Sequence, residues 1–345
     1  MNNCLYFASH PSHTILKVVL IAIVDFDVMM IRSDFRPALG LHSGHVQTCL
    51  PFLLRIAPRI KTQRERVILA DGDFIDLEWA GPPSQTIVVL LHGLTGSRQS
   101  NYIRGMMATL IHRGLRVVLM QFRGCGEHLN RLPRMYHFGD TPDLDFCLKL
   151  IKKRHSQSQV FALGFSMGGS VLLKWLGEHP QQHLVDKAVA VSVPFELHEC
   201  ATRLNQGFSK FYQWYLLSDL KKRYTKKFKH MPSPLGAIDL KPLNNFFHFD
   251  DAITAKLHGF QDVKDYYTRC SCRPWLKHIQ TPTLIISAED DPFITPKALP
   301  QENELSSHIT FELSRHGGHL GFIAMSKRFL FYFWLEKRIP EFFLK

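Results

Sequence analysis

"ALGFSMGGSVLL", residues 162–173, sets Ser166 between Gly164 and Gly168 where a short apolar run gives way to helix formers. Glycine, any residue, serine, any residue, glycine is the pattern of a nucleophile elbow, a strained strand-to-helix turn that lifts the serine hydroxyl above a sheet. The glycines are required because a side chain at either position would collide with the neighbouring strand or helix. A helix that starts just after Ser166 also directs free backbone N–H groups at the hydroxyl. Five residues specify little by themselves, so the reading depends on their surroundings.

On both sides of the elbow the chain alternates between short apolar runs and amphipathic stretches. Residues 66–80, "RVILADGDFIDLEWA", read as two strands around an Asp71-Gly72 turn. "TIVVLLHG" (86–93) is the continuous run expected of a strand buried on both faces. "RVVLMQF" (116–122), "VFALGF" (160–165), "KAVAVSV" (187–193), "TPTLIISA" (281–288) and "HITFEL" (308–313) follow as strands. Helical spacing covers 101–113, about 141–154 and 167–178, and a closing helix is expected near 325–337. This rhythm predicts a mostly parallel sheet of about eight strands with helices on both faces.

A serine hydroxyl is almost inert at neutral pH and needs a base. In an elbow architecture its partners follow in the order acid, then histidine. "SAEDDPF" (287–293) comes directly after one strand and "RHGGHLGF" (315–322) directly after the next. Both therefore fall at the sheet edge where open α/β folds place their sites. Asp290 and Asp291 are both candidates for the acid. Asp291 is favoured because Pro292 holds its backbone extended. His316 and His319 compete for the base, and the flexible Gly317-Gly318 pair favours His319. An oxyanion would be met by the N–H of Met167 and by one from "HGLTG" (92–96), most simply Leu94.

The chain carries 42 Lys and Arg against 30 Asp and Glu, a net charge of +12. Such an excess attracts nucleic acid, anionic lipid or acidic substrates. No zinc-finger spacing, RNA-binding aromatic signature or long basic tail accompanies it, so nucleic acid is not expected as a partner. Seven scattered cysteines do not make a disulfide framework and point to a reducing compartment, the cytoplasm. Cys270 and Cys272 lack zinc-site spacing, and neither metal nor organic cofactor is expected. Residues 15–31 look like a membrane segment, but Lys17, Asp25 and Asp27 limit the uninterrupted apolar run to Val18–Val24. Residues 1–34 are read as an N-terminal extension, with Met29 or Met30 as alternative starts.

Residues 196–275 break the rhythm and are read as a helical cap inserted into a core of 35–195 and 276–345. Leu204, Phe208, Phe211, Tyr212, Tyr215 and Leu216 form a stripe at helical spacing, which fits core packing. "KKRYTKKFKH" (221–230) reads as a solvated face, and "MPSP" (231–234) ends that helix. Together, stripe and basic run would also suit an amphipathic cap in transient contact with an anionic membrane surface. Asp250 or Asp251 is expected to cap a helix opened by "FDDAITA" (249–255).

The sequence resembles the α/β-hydrolase fold family, and within it the YheT-like branch of predicted bacterial hydrolases. The resemblance spans about residues 35–343 and rests on "GHVQTCLP" (44–51), "LADGDFIDLEW" (69–79), "HGLTGS" (92–97), "QFRGCGE" (121–127), "GFSMGG" (164–169), "FDDAITAKLHGFQDVKDYYTRCS" (249–271), "DDPF" (290–293) and "HGGHLGF" (316–322). It implies an α/β-hydrolase fold and a Ser166, Asp291, His319 triad. The function expected is a serine hydrolase acting on small-molecule or lipid acyl esters. A lipase, phospholipase, thioesterase or peptidase of this fold, and a non-hydrolytic binding protein, are the alternatives.

Overall fold

The computed structural model describes residues 29–56 and 58–345. In chain order the elements are β1 Met29–Arg32, α1 Gly44–Leu54, β2 Gln63–Ile68, β3 Phe74–Ala80, β4 Thr86–Leu91, α2 Asn101–His112, β5 Arg116–Gln121, α3 Thr141–Arg154, β6 Gln159–Phe165, α4 Met167–Glu178 and β7 Lys187–Val191. A helical segment follows, with α5 Leu197–Leu204, α6 Ser209–Phe228, α7 Phe246–Phe249 and α8 Val263–Cys270. The chain then returns through β8 Thr283–Ala288, β9 Ile309–Ser314, β10 Ile323–Met325, β11 Phe331–Phe333 and α9 Leu335–Phe343.

Nine strands form one sheet in the order β1-β9-β8-β7-β6-β4-β5-β3-β2. The strands from β1 through β9 to β5 pair in parallel, and β3 and β2 close the other edge antiparallel. Side chains alternate across the sheet as a period of two requires. Ile87, Val89 and Leu91 of β4 join the core under α3 and α4, while Val88 and Leu90 join the core under α2 and α9. Both faces are thus dry, which explains why β4 reads as a continuous apolar run rather than an alternating one.

Four local expectations change. Met29–Arg32, placed in the extension, is an edge strand in parallel register with β9. The rest of the apolar N-terminal segment, residues 1–28, lies outside the described residues. The closing helix begins only at Leu335, because "FLFYFW" (329–334) is rich in aromatic strand formers and its middle pairs with β10 in a small hairpin. "DDAITA" is a π-helical turn continuing from α7, whose cap is Asn245. Asp250 is buried inside that turn, accepting from Thr254 and Tyr267 hydroxyls at 2.6 and 2.8 Å, so it does not cap a helix. The aromatic stripe is not simply core: Leu204 and Tyr212 are buried, whereas Phe208, Phe211 and Tyr215 are exposed, as is the neighbouring Trp214.

The basic run of α6 is mixed. Lys222, Lys226 and Lys229 are solvated, but Lys227 is buried and donates to the Asn130 carbonyl and side-chain oxygens at 3.0 and 2.7 Å. Arg223 donates to the Gly124 and Thr95 carbonyls at 3.4 and 3.1 Å. Two cations of the run therefore fasten the helical segment to loops of the sheet domain. Among the described residues, no helix is long and apolar enough to cross a membrane. Nor is any group of three or more His, Cys, Asp or Glu arranged there to hold a metal ion.

Candidate active site

Ser166 sits between β6 and α4 with φ 50° and ψ −119°, a conformation in which L-residues are strained. The flanking glycines explain why the chain tolerates it. A Cβ at Gly164 would run into the Gly168 carbonyl oxygen, and one at Gly168 would stand 2.6 Å from the Leu91 carbonyl of β4. The turn is pinned on its other side by Ser166 N–H, which donates to the Val191 carbonyl at 2.8 Å.

His319 and Asp291 converge on Ser166 from 153 and 125 residues away along the chain. His319 Nε2 lies 2.9 Å from Ser166 Oγ. Its Nδ1 lies 2.9 and 3.1 Å from the two Asp291 oxygens. Asp291 also accepts from the Phe293 N–H at 2.8 Å, and its side chain has no solvent exposure. A carboxylate placed at Nδ1 fixes the imidazole with its proton on that nitrogen, leaving Nε2 to accept from the serine. The Phe293 ring stacks on His319 with centroids 4.0 Å apart, covering one face of the imidazole.

The structure separates the competing candidates. Asp290 turns away from His319 and accepts from the Gly318 N–H at 2.9 Å. Burial pushes its carboxyl up, offset in part by that N–H and by His316. His316 Nδ1 lies 3.4 Å from Asp290, not at Ser166. Gly318 has φ +57°, and a Cβ there would strike the Gly44 carbonyl, so this loop is shaped around glycine.

Leu94 lines the same cavity as Ser166 and His319, in a loop built around the β4 end. Its neighbours are committed: Gly93 N–H donates to Tyr102 Oη at 2.8 Å, and Thr95 N–H to Tyr136 Oη at 2.9 Å. Burial raises the Tyr102 hydroxyl to about 12, so it remains a neutral acceptor. His92 supports the loop from below, with Nδ1 2.8 Å from the Gly93 carbonyl and Nε2 accepting from the Phe122 N–H at 3.3 Å. Burial holds His92 down at about 4, as that pair of bonds requires of a neutral ring. Met167 is fully buried at the first turn of α4, directly after the serine.

Sequence reasoning passed over the contribution of α1. Thr48 Oγ1 accepts from the His319 N–H at 2.9 Å and donates to the Gly44 carbonyl at 2.7 Å. Gln47 bonds both the N–H and the carbonyl of Ile323, at 2.7 and 3.2 Å, just beyond the histidine loop. Both residues lie in "GHVQTCLP", a landmark of the resemblance to which no role was attached. The cavity around Ser166 holds about 500 Å³, and its walls include Phe211, Tyr212, Leu216, Phe293 and Leu320. A second cavity of about 550 Å³, among Arg134, His137 and His258, shares no lining residue with it.

A parallel sheet with a serine at a strand-to-helix elbow, and an acid and a histidine after successive later strands, defines an α/β hydrolase. Residues 86–324 match the family model of the alpha/beta hydrolase fold. The chain is 39% identical over 317 residues to "Putative esterase YheT" of Escherichia coli (strain K12), covering 90% of this chain and 92% of that protein. It is 28% identical over 306 residues to Phospholipase ABHD3 of Homo sapiens, covering 85% and 75%. The solved esterase Pf2001 of Pyrococcus furiosus superimposes with a TM-score of 0.56 at 18% identity, covering 84% of this chain and 97% of that one. The chain belongs to the α/β-hydrolase family, in its YheT-like branch.

Proposed function

We propose that this protein is a serine esterase that cleaves carboxylic acyl esters through an acyl-enzyme. The observation that carries the reading is the bridge made by His319, with Nε2 at Ser166 and Nδ1 at Asp291. In the proposed reaction His319 takes the proton as Ser166 Oγ attacks the ester carbonyl, then gives it to the departing alcohol. Asp291 holds the imidazole and balances its charge. A water, deprotonated by the same Nε2, attacks the acyl-serine and releases the acid. The N–H groups of Leu94 and Met167 receive the oxyanion, a role supported by the engagement of Gly93 and Thr95 N–H groups elsewhere. Each such donor is worth roughly 3 kcal/mol in serine enzymes.

The aromatic and aliphatic walls of the cavity favour an apolar acyl group over a peptide. Relatives named esterase and phospholipase support an ester-cleaving reaction. The same reading puts the enzyme in the cytoplasm, on the scattered cysteines noted above. A fluorophosphonate probe tests it: wild-type protein is expected to label, while Ser166→Ala and His319→Ala do not. A panel of acyl esters then defines chain length. Folded wild-type protein that neither labels nor turns over any ester would make the fold a binding scaffold instead.

A further inference from the structure

The cavity of Ser166 lies beside two apolar patches that face solvent. The first is on α6 and the residue before it. Phe208 is 56% exposed, Phe211 49% and Trp214 62%. Their rings follow one another at 5.7 and 5.9 Å, making one aromatic ladder, and Phe211 also lines the cavity. The second is the turn between β10 and β11, where Phe329 is 80% exposed and Leu330 and Phe331 flank it in solvent. This hairpin reaches the cavity through Arg55, which lines it and lies over the Phe333 ring at 4.0 Å. Contiguous exposed apolar area of this kind marks an interaction surface.

Charge identifies the partner. Lys210 is exposed within the aromatic ladder, and Lys327 and Arg328 are exposed at the hairpin tip. Lys221 and Lys222 stand seven residues on from Trp214 and Tyr215, so the same face of α6 turns basic after two helical turns. The whole chain carries +12. Aromatic side chains that reach the headgroup level, flanked by cations that meet phosphates, are what an anionic bilayer surface attracts. We propose that this rim docks on an anionic phospholipid surface, with the cavity mouth toward the lipid. Acyl chains could then reach Ser166 without crossing water. That last step rests on the esterase reading, whereas the docking itself does not.

The test is co-sedimentation with vesicles of phosphatidylcholine alone and of phosphatidylcholine mixed with phosphatidylglycerol. It uses wild type, Ser166→Ala, Trp214→Glu and Phe329→Glu, the last two lying outside the cavity lining. Wild type and Ser166→Ala are expected to pellet with the anionic vesicles and far less with phosphatidylcholine. Each glutamate variant should bind about tenfold more weakly or worse, while labelling with fluorophosphonate as wild type does. Retained labelling shows that a variant is folded, and either variant alone suffices. Wild type that stays in the supernatant, or glutamate variants that pellet like wild type, would overturn the proposal. So would a dimer that Trp214→Glu dissociates and that ignores vesicles, since a second copy would then cover the patch. Docking without labelling would sink the esterase reading and leave the surface standing.

Discussion

Thr48 Oγ1 accepts the backbone N–H of His319 at 2.9 Å, tying the first helix of the chain to the histidine loop near its end. The same hydroxyl donates to Gly44, so both of its hydrogen-bonding roles are spent on fixing this contact. Thr48→Ala leaves a buried N–H unpaired, which costs about 1–3 kcal/mol of stability. It also frees the loop that aims Nε2. Small misplacements of catalytic groups lower rates steeply, so kcat is expected to fall about tenfold or more with little change in KM. Thr48→Ser keeps the hydroxyl and should restore most of the activity. Steady-state kinetics of the two variants check this.

The two adjacent aspartates separate cleanly by kinetics. Asp291 bonds the imidazole, whereas Asp290 bonds the Gly318 backbone. Removing the carboxylate that orients the histidine of a serine triad costs about ten-thousand-fold in kcat, and Asp291→Asn is expected to do so here. Asp290→Asn still presents an oxygen to Gly318 and should lose no more than about tenfold. Comparable losses in both variants would reassign the acid.

What the sequence disclosed follows from where its constraints are local. The elbow was legible because two steric conflicts within five residues demand glycine. The order of acid and histidine was legible because each follows a strand that reads as one. Thr48 and Gln47 were not, since their partners lie 271 and 276 residues away and a hydroxyl on a helix has no signature of its own. Residues 325–337 misled because a run of aromatics satisfies a helical stripe and a strand equally well, and only pairing with β10 decides. The α6 stripe was ambiguous for a related reason: periodicity places residues on one face without saying whether protein or solvent lies beyond it.

His92 links the loop of Gly93 and Thr95 to pH. Its folded-state value of about 4 lies below that of an unfolded histidine, so the unfolded chain binds more protons between the two. Its contribution is therefore present above about pH 6.5 and is lost as the pH falls toward 4. The slope of this contribution approaches about 1.4 kcal/mol per pH unit. His92→Gln cannot take up that proton. Wild type should thus lose stability relative to His92→Gln on acidification through this window, as read by denaturant unfolding at several pH values. A constant difference from pH 7 to pH 4 would show that the ring is not held neutral.

Ser166 offers a trade between stability and function. Its φ of 50° is left-handed and strained for any residue with a Cβ. Glycine adopts such a conformation freely, and strained positions of this kind cost of order 1–3 kcal/mol. Ser166→Gly removes the proposed nucleophile and, with it, the strain, although a more flexible unfolded chain offsets part of the gain. The variant is expected to be inactive and more stable than wild type by about 1 kcal/mol. Ser166→Ala, equally inactive but still carrying a Cβ, should gain little. Thermal unfolding of the three proteins side by side decides the matter. Equal stabilisation by alanine and glycine would mean that the hydroxyl, not the backbone, is the source of strain at the elbow.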